Sequence, residues 1–164
     1  MNIDLQNALD ATQTTYEYLV GIANKITKDY VDEVDGLVDE AYNNVDNLTN
    51  ETIRNLIMRI SLKAFALGDV KEKSGLKAAC AEALRKEAYA KAFNGADGSV
   101  AAKDNSATLD TSTQILTGKI YEVVAAILKT KLDECHRVVA ALTTVLTSRM
   151  AEAKTKAELQ KGAM

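Results

Sequence analysis

The stretch LQNALDATQTTYEYLVGIANKITKDYVDEVDGLVDEAYNNVDNL, residues 5–48, decides the fold. Along it Leu5, Leu9, Thr12, Tyr16 and Leu19 recur at steps of three or four, and the stripe runs on through Ala23, Ile26, Tyr30, Val34, Leu37, Ala41 and Val45 to Leu48. Steps of three and four stack residues on one face of an α-helix, whereas a strand needs strict alternation. At 1.5 Å per residue the segment is about 44 residues and ~66 Å long, too long to bury its apolar stripe on itself. Gly21 and Gly36 each weaken such a helix by about 1 kcal/mol relative to Ala, so each is expected to mark a bend or a close helix crossing.

Further along the chain, Thr49 is placed to cap a second helix, with Leu48 and Ile53 as a hydrophobic staple. That helix is expected to run through Ile57, Ile60 and Ala64 to a stop at Gly68, giving an N-terminal helical hairpin over residues 1–68. Ser74 and Gly75 allow another break before a helix at 76–93. The run Asn94-Gly95-Ala96-Asp97-Gly98-Ser99 is the best loop in the chain, because Gly, Asn and Asp tolerate turn conformations. A short helix follows from about Val100. Asp110 or Ser112 then caps a last long helix that reaches roughly residue 158, and the charged tail EAKTKAELQKGAM, residues 152–164, is expected to fray. On that helix Leu128, Leu132, Cys135, Val139, Leu142 and Leu146 step by four and three, the spacing of a coiled-coil seam and the expected oligomer contact. The fold class expected is all-α, with long amphipathic helices forming hairpins and a coiled-coil-like bundle in a homo-oligomer. The absence of proline among 164 residues permits such lengths.

Charge divides the chain. Residues 1–52 carry eleven acids against Lys25 and Lys28, whereas residues 53–164 carry eighteen Lys/Arg against twelve acids. The division at residue 68 therefore reads as an acidic arm and a basic body, 69–164. Such a split suits a polyanionic partner for the body, or attraction between arm and body.

Several chemistries find no support. Cys80 and Cys135 lack metal-site or framework spacing, the start MNIDLQNALD is acidic where a leader is basic, and no apolar run approaches ~18 residues. The expected setting is a reduced cytoplasm, with no membrane contact. His136, the single histidine, points about 100° from its neighbour Cys135, so the two do not converge on a metal or form a nucleophile–base pair. No phosphate-cradling or dinucleotide motif is present. The carboxylates between Asp29 and Glu40 read as a solvated face or as a docking surface for a basic partner. We expect no catalytic residue, no metal and no cofactor.

One stretch fits a binding chemistry. Arg85, Tyr89 and Phe93 fall at i, i+4 and i+8 with Lys86 and Lys91 beside them. Single-stranded nucleic acid is held by this mixture, in which cations meet phosphates and aromatic faces stack bases. The same pattern suits Tyr89 and Phe93 as core residues with Arg85 packed on Tyr89. Lys103 and Lys119 are further candidate cations.

From this helix onward the order is a basic helix ending in an aromatic and a Gly turn, a GSVAA restart at 98–102, and DTS-x-Q at 110–114 opening a long amphipathic helix. Over residues 76–152 that order resembles the UvsY-type recombination mediators of tailed phages. The resemblance implies a non-enzymatic homo-oligomer that binds single-stranded DNA and helps a RecA-like recombinase load against single-strand-binding protein. The phage setting makes the compartment the host cytoplasm. Aligned on the Gly turn, Glu87 and Tyr89 stand where family members carry cations, so the candidates rest on local chemistry. The alternative is a phage structural or adaptor protein acting through protein contacts alone.

Overall fold

A computed structural model describes residues 3–44 and 47–162, so Val45 of the expected stripe, like the Leu5 side chain, lies outside the described residues. Among the described residues the regular structure is helical throughout, in the order α1 (Ile3–Asn44), α2 (Asn50–Gly95), α3 (Val100–Asp110) and α4 (Ser112–Gly162).

α1 is continuous, and a Cβ added at Gly21 or Gly36 would meet nothing within 4 Å, so neither marks a close crossing. α2 begins as the sequence predicts: the Thr49 hydroxyl accepts from the Thr52 backbone N–H at 3.1 Å, while Ile53 is fully buried and Leu48 half-buried. It does not stop at Gly68 or break at Ser74-Gly75. Without proline the helix loses no hydrogen bond there, and two glycines cost only about 2 kcal/mol, which the burial of flanking Ala64, Leu67 and Ser74 offsets. The buried Ser74 hydroxyl donates to the Val70 carbonyl at 2.8 Å.

The expected loop is present in shortened form. α2 ends at Gly95, Gly98 takes φ +111°, and Ser99 caps α3 by accepting from Ala102 N–H. Between α3 and α4 the junction is Thr111, rather than Asp110 or Ser112. Its hydroxyl donates back to the Ala107 carbonyl at 2.9 Å, and its carbonyl accepts from Ile115 N–H at 3.1 Å. One fully buried residue thus closes one helix and opens the next. α4 stays helical through the exposed charged tail to Gly162, past the helix end expected near residue 158.

The long helices are shared between two compact units, Met1–Lys28 with Asp69–Leu128, and Asp29–Gly68 with Lys129–Met164. Each draws on both sides of the expected division at residue 68, because α1 and α4 each contribute to both units. In the second unit α1 and α2 pack as an antiparallel hairpin, tied by Glu33–Lys63 and by Glu40–Arg59 at 3.0 Å. Its core is large and apolar, with Val34, Ile53, Leu56, Ile60, Leu67 and Leu142 all at most 3% exposed. The first unit is cored by small residues, chiefly Ala23, Thr27, Ala81, Ala107 and Thr111, with Val124 and Leu128. Leu128 and Leu142 of the expected oligomer seam, and Cys135 between them, are buried within the chain itself, while Leu132, Val139 and Leu146 are half-buried. Among the described residues no helix is long and apolar enough to cross a membrane.

Candidate nucleic-acid interface

The first unit holds every candidate cation and aromatic. α2 and α4 run antiparallel there and approach closely where α4 has no side chain: a Cβ on Gly118 would lie 3.7 Å from the Ala81 Cβ and 3.9 Å from the Ala78 carbonyl. Beside this contact opens a groove of about 400 Å3 lined by Glu82 and Arg85 from α2 and by Gln114, Gly118, Lys119 and Glu122 from α4. Thr111 sets the direction in which α4 leaves, and Gln114 stands in its first turn.

The structure brings Arg85 and Lys119 to this one groove from separate helices. Each already has a carboxylate. Arg85 makes a two-bond fork to Glu82 at 2.7 and 2.8 Å, and Lys119 meets Glu122 at 2.7 Å. The fork raises the Arg85 pKa and lowers that of Glu82, because both charged forms gain from the same hydrogen bonds. Lys86 shares Glu82 at 3.7 Å, and Lys91 pairs with Glu87 at 2.5 Å, which lowers the Glu87 pKa. Lys103 lies half-buried on α3.

Tyr89 and Phe93 stack on each other, with centroids 6.0 Å apart and planes 19° from parallel, and both are half-buried. The Tyr89 hydroxyl donates to Asp104 of α3, a bond that raises its pKa above the ordinary phenol value. Tyr89 therefore ties α2 to α3, while both rings stay half-buried rather than core and Arg85 turns to Glu82.

Folding also redistributes charge. The first unit contains ten basic and eleven acidic residues and the second ten and twelve, so the acidic arm and basic body give two nearly neutral units. A contact with polyanion must be local, made by individual donors rather than by a broad positive field.

Gln114 was missed as a site residue. Its Oε1 is buried without a hydrogen-bond donor among the described residues. The signal was present in DTS-x-Q, whose final residue it is, but spacing along one helix cannot show which side chain a second helix covers. Among the described residues no three His, Cys, Asp or Glu side chains gather to hold a metal ion.

Fold and groove together define a class of protein, an all-helical chain whose candidate interface is a small polar cleft between two helices. Comparison with protein-family models, curated proteins and solved structures yields no match to this chain.

Proposed function

We propose that the chain is a non-enzymatic, recombination-mediator-like protein that holds single-stranded DNA at the first unit, multiplies that hold by homo-oligomerisation, and assists loading of a RecA-like recombinase. The convergence of Arg85 and Lys119 on one groove next to Gln114 is the observation that best supports it. The stretches that carry the resemblance to UvsY-type mediators, the basic helix, the Gly turn and the DTS-x-Q opening, also fall together in this unit. Glu82 and Glu122 hold the two cations in place and leave further N–H donors on each to meet a phosphate. Two cations grip weakly, and an oligomer that presents several grooves to one strand raises the overall affinity without a new contact. The test is titration of a labelled single strand and of a duplex of equal length at low salt. Saturable binding that favours the single strand is expected, and no binding at low salt removes the reading.

A second reading, a structural or adaptor protein working through protein contacts only, is favoured by Met58, Leu62 and Phe65. They lie at i, i+4 and i+7 on α2, with Phe65 81% exposed. Under this reading substitution of Phe65 by Ser impairs association while oligonucleotide is never bound.

A further inference from the structure

We infer that the groove between α2 and α4 of the first unit takes one nucleotide of a single strand and favours bases bearing an exocyclic amino group, cytosine over uracil or thymine. This rests on the single-strand reading above and specifies which bases the site prefers.

On the anion side, a guanidinium has five N–H donors and Glu82 occupies two of Arg85's; an ammonium has three and Glu122 occupies one of Lys119's. Three donors and two remain to meet a phosphate, while the carboxylates keep both cations in place.

On the base side the groove has acceptors in surplus. Glu82 and Glu122 retain lone pairs beyond those facing Arg85, Lys86 and Lys119. The Gln114 Oε1 is buried without a donor, so its amide loses no hydrogen bond from that oxygen when it turns towards one in the groove. Ala78, Ile115 and Gly118 supply an apolar wall on which a base can lie. With the Arg85 and Lys119 donors engaged by the phosphate, a cytosine N4 amino group donates to such acceptors, whereas uracil or thymine O4 presents a further acceptor to two carboxylates and gains no partner there. The volume, about 400 Å3, lies within the roughly 300–1,000 Å3 of small-ligand sites.

The experiment is fluorescence anisotropy with oligo(dC) and oligo(dU) of equal length, which differ only in the base edge. Oligo(dC) is expected to bind about fivefold tighter, the worth of one added hydrogen bond. Glu122→Ala, at an exposed position, is expected to reduce that ratio below about twofold with helicity unchanged, and Gln114→Leu to do the same. Equal affinities, a preference for oligo(dU), or a ratio that survives both substitutions would overturn the inference and leave single-strand binding standing. Failure of both oligonucleotides to bind at low salt would overturn the two together.

Discussion

Lys131 of α4 donates to the carboxylate of Asp35 on α1 at 2.5 Å, joining residues 96 positions apart, and also reaches Glu134 at 2.9 Å. The Lys131 side chain is only 22% exposed. Burial acts to lower its pKa, but the hydrogen bonds and charges of Asp35 and Glu134 outweigh burial and hold it above the ordinary lysine value. Here, as where Arg149 donates to the Leu48 carbonyl, the acidic arm meets the basic body inside one unit.

Replacing Lys131 by Met should therefore lower stability by about 0.5–1.5 kcal/mol, a figure reduced because Asp35 is half exposed, and Tm by roughly 2–5 °C. A lysine pKa raised by folding contributes fully below its unfolded value near ~10.4 and loses that contribution as pH rises through the higher folded value. The Tm gap between wild type and Lys131→Met should consequently be constant near neutrality and close only in strong alkali. A gap that closes below pH ~9 contradicts the assignment.

Leu142 is 3% exposed within the second unit, so Leu142→Ala should cost about 2–4 kcal/mol. Because the burial is internal to the chain, the loss in Tm should be the same at low and high protein concentration. A loss that vanishes on dilution would place Leu142 in a contact between subunits instead.

The two thiols should separate cleanly. Cys80 is exposed, whereas Cys135 is buried and its thiol is pushed up by burial and then by the Glu134 charge. Titration of the native protein with a thiol reagent near neutral pH should modify Cys80 quickly and Cys135 only as the protein unfolds. Equal rates for both would show that the core around Cys135 is open.

Gly68 and Gly75 lie within a continuous α2, and a Cβ at either would meet nothing within 4 Å. Gly75→Ala and Gly68→Ala should each stabilise by about 0.5–1 kcal/mol through helix propensity. At Gly118 a single methyl fits at ordinary contact distance, but Gly118→Leu should force α4 from α2 and disrupt the groove. Destabilisation by alanine at residue 75 would restore the break that Ser74-Gly75 had led us to expect.

What sequence could show depended on range. The stripe of α1, the Thr49 cap and the loop before Ser99 follow from residues a turn or less apart, and each was legible. The stops expected at Gly68 and Ser74-Gly75 were not, because intrinsic propensity is small beside the packing of Leu67 and Ser74 against other helices. Likewise the spacing of Leu128, Cys135 and Leu142 revealed that a seam exists, but not that the chain's own helices fill it. Arg85 and Lys119 could be nominated by type. Their meeting with Gln114 depends on the Thr111 turn and the Gly118 contact, which involve residues distant in sequence.

The central claim is that single-stranded DNA is held by a few local donors in the first unit. The most direct measurement is the slope of log K against log salt for the wild type and for the Arg85→Ala/Lys119→Ala double variant. With about 0.7 per phosphate neutralised, the one phosphate that Arg85 and Lys119 meet together gives a slope near −0.7 per bound subunit, and the double variant should lose most of that slope along with its affinity. A double variant whose slope and affinity match the wild type would contradict the account and move the contact away from the groove.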